Sequence, residues 1–188
     1  MLAEQLKHDT LESHQALEKI LITKIRAIRS TNDYINLLQL FYTYFGGLEK
    51  QMSTMLVSDI LPDYHDRRKA ASLAEDITAL GATPAELAAT GSLPVLGSVP
   101  AALGALYVIE GSTLGGQVIS RMIAGQLTLP EQLGLSFFTG YGAETQPMWQ
   151  KFKNSINGLA LTPEEALAMI DAARETFVKF KKWMDSHG

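Results

Sequence analysis

One histidine, one glutamate and a run of glycines are the residues here whose types and spacing point to chemistry. His14 lies on a stretch where Leu6, Thr10, His14, Leu17 and Leu21 recur at helical spacing, so it shares the apolar face of a helix. Glu18 follows four residues later, the distance at which helical side chains meet. A carboxylate there can accept the Nδ1–H of His14, fix its tautomer, and leave Nε2 as a better metal ligand. The bland alternatives are a satisfied core histidine and a solvated glutamate paired with Lys19 or Lys24. The second feature is the stretch from Leu103 to Met122, helical in its apolar spacing yet holding Gly104, Gly111, Gly115 and Gly116. Four glycines cost a helix about 3–4 kcal/mol against alanine. Gly104, Gly111 and Gly115 fall within about 40° of one line along the helix, and Gly115-Gly116 permits a kink. The bare stripe admits two readings: close packing against a neighbouring helix, or a flat ligand lying on the backbone.

Much other chemistry is excluded by residue type. The 188 residues contain no cysteine, so disulfides, thiolate ligands and cysteine nucleophiles are all absent. None of His8, His14, His65 and His187 has a glutamate three residues before it, as a di-iron bundle needs, and no His-x-x-x-His pair is present. Gly111-Ser112-Thr113-Leu114-Gly115 lacks the lysine of a phosphate loop. What remains is a histidine whose second nitrogen has an orienting partner, which suits heme iron. A net charge of −4 gives no reason to expect nucleic-acid binding. No apolar run reaches the ~18 residues of a membrane helix, and Met1 to Asp9 does not read as a signal peptide. A soluble cytoplasmic protein is the expectation.

The elements that must position these residues all read as helices. The first is expected from Leu2 to about Ile28, and the next is capped at Ser30 or Thr31 with Asp33 in its first turn. That second helix carries Leu37, Phe41, Tyr44, Phe45, Leu48 and Met52, ends before Pro62, and allows close approach at Gly46-Gly47. A third is expected over His65 to Leu80, stopped by Gly81, and Thr83-Pro84-Ala85-Glu86 has the form of a short helix start. Gly91 to Val99 reads as a loop, and Pro100 opens the glycine-bearing helix. Pro130 starts a helical turn, and Gly134 to Gly142 reads as a loop anchored by Phe137, Phe138 and Tyr141. A helix follows from Glu144 to Gly158. Thr162-Pro163-Glu164-Glu165 then caps a last helix that runs to about Trp183. The chain reads as one all-α domain over residues 1–188.

Two separated stretches, Leu6-Lys7-His8-Asp9-Thr10-Leu11-Glu12-Ser13-His14-Gln15-Ala16-Leu17-Glu18 and Tyr107-Val108-Ile109-Glu110-Gly111-Ser112-Thr113-Leu114-Gly115-Gly116-Gln117, resemble the heme oxygenase family. The resemblance continues to the Leu161-Thr162-Pro163 before the last helix, and the Glu-Gly-Ser-x-Leu-Gly form is similar to bacterial members, including those associated with bacteriophytochromes. It implies a compact helical fold with heme between the first helix and a kinked, Gly-rich distal helix. It also implies oxidation of heme by O₂ and reductant to biliverdin, CO and free iron. By resemblance, His14 is the axial ligand and Glu18 its hydrogen-bonding partner. Gly111, Gly115 and Gly116 are the distal glycines, Lys7 and Lys153 hold the heme propionates, and Phe177 lines the pocket. Ser112 stands where many members carry an aspartate that organises water beside bound oxygen, and serine is no acid. Electrons must come from a ferredoxin, a flavoprotein reductase or a flavodoxin-like donor, for which Lys7, Lys24, Lys151, Lys153 and Lys179 offer a basic face. Two other readings stand beside this one. A heme carrier or sensor would use the same pocket without turnover, and a thiamin-degrading type of enzyme on a similar fold would need a cysteine nucleophile this chain lacks.

Overall fold

The computed structural model describes residues 1–55, 57–129 and 133–187, and no strand occurs among them. The α-helices are α1 (Leu2–Asp9), α2 (Leu11–Ala27), α3 (Thr31–Met52), α4 (Val57–Ile60), α5 (Ala71–Ala79), α6 (Val99–Gln126), α7 (Ser136–Thr139), α8 (Thr145–Asn157) and α9 (Pro163–His187). The turn expected at Pro130 lies outside the described residues.

Several boundaries follow local chemistry. Ser30 and Asp33 form a reciprocal capping box at the start of α3, and Thr162 and Glu165 exchange the same two bonds at the start of α9. Ser98 accepts the Ala101 amide at 3.3 Å to open α6, with Pro100 in its first turn. Gly81, at φ +84°, ends the turn after α5, where a side chain would be strained.

Three departures from the sequence reading have physical causes. The single first helix divides at Thr10, whose buried hydroxyl turns back to the Leu6 carbonyl at 2.6 Å. The break lets α1 pack on α8 and α9 while α2 lies along α9. The helix expected over His65 to Leu80 is instead a 3₁₀ turn at Tyr64–Asp66, an extended Arg67, and then α5. Arg67 and Arg68 are buried in polar contacts that a continuous surface helix would not permit. No helix forms at Thr83 to Glu86. Gln39 holds that segment against α3, donating to the Thr83 carbonyl at 2.7 Å and accepting the Ala85 amide at 2.9 Å. The chain then seats Leu87 over Gly46 and Leu93 over Gly47, so the close approach at these glycines serves loop leucines.

The aromatic core joins α3, α7 and α9. Phe41 packs edge-on to Phe138 at 5.3 Å and to Phe180 at 5.0 Å, and Tyr44 stacks on Phe180 at 4.6 Å. The segment read as a loop from Gly134 contains α7. Buried Asp76 of α5 caps it by accepting from the Ser136 amide (3.1 Å), the Ser136 hydroxyl (2.6 Å) and the Phe137 amide (2.9 Å).

The glycine-bearing helix is α6, helical without a break through Gly115 and Gly116 and buried on every side from Pro100 to Glu110. Its principal partner is α9. A Cβ on Gly104 would overlap the Met169 carbonyl, which is backbone and cannot swing aside. Gly104→Ala is therefore expected to lower stability by about 1–3 kcal/mol despite alanine's better helix propensity. Thermal and denaturant unfolding of the variant would check this, and a rise in stability would contradict the packing.

Candidate active site

A cavity of about 640 Å³, within the range of small-molecule sites, opens between α1 and α2 on one hand and α6, α8 and α9 on the other. Its wall contains Lys7, His14, Glu18, Gly111, Ser112, Gly115, Lys153 and Phe177, residues that lie up to 170 positions apart in the sequence. The exposed apolar side chains Leu11, Ile22, Leu114 and Val118 line the same opening. Apolar groups gathered at one rim mark a surface that something covers.

From sequence, His14 points inward among apolar neighbours, as a candidate ligand or else a satisfied core residue. It stands on the cavity wall, exposed to the opening, because the whole stripe of Thr10, His14, Leu17 and Leu21 faces the cavity. Its ring packs edge-on against Phe177 at 5.4 Å and 65°. Neither ring nitrogen has a hydrogen-bond partner among the described residues. Glu18 lines the cavity on the same helix, but no hydrogen bond joins it to His14; both side chains are exposed, and water competes for them.

The glycines of α6 divide by function. Gly104 and Gly116 are packing glycines: a Cβ on Gly116 would overlap the Phe138 carbonyl of α7, and Gly116 does not line the cavity. The assignment of Gly116 to the ligand face is therefore corrected, since one residue turns the helix by about 100°. Gly111 and Gly115 do line it. A Cβ at Gly115 would meet nothing within 4 Å, and one at Gly111 would rest 3.7 Å from the Trp149 ring. The packing reading of the stripe therefore holds at Gly104 and Gly116, while Gly111 and Gly115 face the cavity.

Of the five lysines proposed as a basic face, only Lys7 and Lys153 line the cavity. Lys179 is engaged by the Leu93 carbonyl at 2.7 Å and Glu175 at 2.9 Å. Tyr107, read from sequence only as part of an apolar face, is buried beside Trp149 at 5.3 Å and lines the cavity one turn before Gly111. Burial pushes its phenol up to about 12, so the hydroxyl stays a donor at neutral pH.

Behind Ser112 lies a polar network that the sequence reading missed. Arg67 bonds Asp63 through two nitrogens at 2.9 and 3.0 Å and reaches Glu110 at 2.5 Å. Glu110, 1% exposed, also accepts from the Tyr141 hydroxyl at 3.0 Å. That hydroxyl in turn accepts the Arg68 amide at 2.8 Å. Burial, and secondarily Glu110, raises the Tyr141 phenol well above its usual value. The Arg68 guanidinium donates to Ile109 O, Phe137 O and Ser112 Oγ. The only signal in the sequence is two adjacent arginines, which look like solvated charge.

The chain matches the heme oxygenase family model over residues 1–186. It is 39% identical over 90 residues to a heme oxygenase of Xanthomonas campestris pv. campestris (strain 8004), a stretch that covers 48% of this chain and 52% of the relative, about half its length. Among solved structures, it resembles the NO- and CO-bound heme oxygenase of Neisseria meningitidis, with a TM-score of 0.86, 24% identity, and coverage of 100% of this chain and 92% of that one. It also resembles heme oxygenase-1 of Synechocystis sp. PCC6803 in complex with heme, with a TM-score of 0.77, 17% identity, and coverage of 98% and 91%. The fold is thus that of the helical heme oxygenases. The chain belongs to the heme oxygenase family.

The two kinds of glycine are separable by stability alone. Gly116→Ala is expected to cost about 1–3 kcal/mol, whereas Gly115→Ala is expected to be neutral or stabilising by up to about 1 kcal/mol. Unfolding of the ligand-free variants measures both, and equal losses would mean that Gly115 is also a packing glycine.

Proposed function

We propose that this chain is a heme oxygenase, cleaving heme to biliverdin, CO and free iron with O₂ and electrons from an external donor. The observation that carries this reading is the pairing, in one cavity, of an imidazole with no hydrogen-bond partner among the described residues and a helix backbone left bare at Gly115. The residues present fit a flat, iron-bearing, dicarboxylate macrocycle. The wall is largely apolar, two lysines stand on it, and open space meets the α6 backbone where a side chain would intrude.

Heme in this cavity is both the substrate and, through its iron, the means of activating O₂. His14 holds the iron through Nε2 as neutral imidazole, and Phe177 packs the ring's flank. Glu18, four residues on, is placed to take the Nδ1–H once the ring is fixed by ligation. Lys7 and Lys153 take the propionate carboxylates, and the Tyr107 hydroxyl offers a further donor in the same cavity. Gly111 and Gly115 keep side chains off the ring face, and Ser112 contributes a neutral hydroxyl to the same wall. A ferredoxin, a flavoprotein reductase or a flavodoxin-like protein supplies the electrons. The setting we propose is the cytoplasm; no described helix is long and apolar enough to cross a membrane.

Under ascorbate and O₂, the heme complex should lose its Soret band and gain biliverdin absorbance; a stable Soret band would leave a carrier or sensor. His14→Ala should lose the histidine-ligated spectrum and most turnover, and added imidazole should partly restore both. An alanine variant with the parent spectrum and activity would remove His14 from the site. Gly115→Leu should bind heme more weakly while the ligand-free protein stays folded. A destabilised ligand-free protein with unaltered heme titration would overturn the pocket assignment.

A further inference from the structure

The hydroxyl of Ser112 is more constrained than its place on the cavity wall requires. It donates to Ile109 O at 2.7 Å and accepts from Arg68 Nη2 at 2.6 Å. A serine hydroxyl has one proton and two lone pairs. The proton is committed to Ile109 and one lone pair to Arg68, so one lone pair is left. Ser112 lines the cavity and Arg68 does not. We propose that Arg68 is a positioning residue that locks the Ser112 hydroxyl as a hydrogen-bond acceptor toward the cavity, so that the group it takes there is a donor, such as a water or a protonated oxygen on the ligand face. The proposal rests on the heme reading of the cavity.

The way Arg68 is held supports this. Its Nη2 forks to both Ile109 O (2.8 Å) and Ser112 Oγ, and its Nη1 reaches Phe137 O at 3.0 Å. The guanidinium lies 3.8 Å from the centre of the Phe137 ring. No carboxylate among the described residues lies within ion-pair distance of it. The acids closest in charge are otherwise engaged: Glu110 bonds Arg67 and Tyr141, and Glu49 accepts the Ala70 amide at 2.9 Å. Arg68 Nε is buried with no hydrogen-bond partner among the described residues. A buried arginine without an ion pair and with an unmade bond is an expensive way to fill space. The bonds it does make hold two backbone carbonyls and the hydroxyl of a residue on the cavity wall in one rigid arrangement. Burial lowers its pKa only to about 10, so the fork is charged and complete at neutral pH. With the guanidinium in place, the Ser112 hydroxyl has no free proton to turn toward the cavity.

The test reads the ferric heme complex by visible spectroscopy as pH is raised through the transition in which axial water loses a proton. An acceptor beside that water stabilises it more than hydroxide, so Ser112→Ala should lower the midpoint by about half to one pH unit. Arg68→Lys keeps the positive charge but loses the fork, freeing the hydroxyl to rotate; it should also lower the midpoint. The double variant should match Ser112→Ala alone. Removal of a cation acting through space would instead raise the midpoint, and Arg68→Lys would not disturb it. The proposal is overturned by a Ser112→Ala midpoint that rises or stays unchanged, by an unaltered Arg68→Lys midpoint, or by shifts that add in the double variant. If Arg68→Lys does not fold, the sign of the Ser112→Ala shift decides alone. Failure of the parent protein to bind heme at all would instead sink the reading of the cavity.

Discussion

How closely the backbone of α6 can approach its neighbours is the constraint on which the rest of this structure depends. At Gly104 and Gly116 the helix lies against carbonyl groups of α9 and α7, at separations that no side chain allows. These two contacts seat α6 before and within the segment that faces the cavity. Between them, Gly111 lines the cavity beside the Trp149 ring and Gly115 presents bare backbone to open space. The helix is seated by two glycines and leaves a cradle at two others. The propensity cost of these four glycines, about 3–4 kcal/mol, is thus offset by packing at one pair, while the other pair lines the cavity.

Buried charge does the remaining positioning. Glu110 sits in the middle of α6 at 1% exposure, a costly place for a carboxylate unless its oxygens are satisfied. Arg67 and Tyr141 satisfy them, and Asp63 steadies Arg67 from the other side. The segment after α4 and the segment after α7 are thereby tied to the helix that carries Gly111 and Gly115. The arrangement also explains why Arg67 and Arg68 interrupt what the sequence pattern reads as a helix: two arginines with buried partners need an extended backbone to reach them. With Arg68 on Ser112, the absence of an acid at that position does not leave a loose hydroxyl. It leaves an oriented one.

Much of this was legible beforehand, for reasons that are local. The cap at Ser30, the capping box at Thr162 and the stop at Gly81 are each written within a few residues, and each formed as read. The motif around His14 and the glycine motif around Gly111 are likewise short, and the family they resemble is the one the whole chain matches. Local reading failed where a distant partner overruled it. Thr83 to Glu86 has a helix-start pattern, but Gln39 holds it to α3. Gly115 and Gly116 are indistinguishable as letters, yet a turn of about 100° puts one over open space and the other on Phe138.

By itself, then, the sequence determined the all-helical class, most of the caps, the exclusion of cysteine chemistry, and the candidate pair of His14 and the glycine helix. These depend on residue type and on spacing within a turn or two, which the chain carries wherever it goes. Tertiary structure alone decided that Lys7, His14, Gly115, Lys153 and Phe177 share one cavity and that Gly104 and Gly116 are packing contacts. It alone decided that two arginines are buried behind Ser112. Each of those facts is set by which helices cross and how closely, and that depends on volume and charge contributed by residues up to 170 positions away.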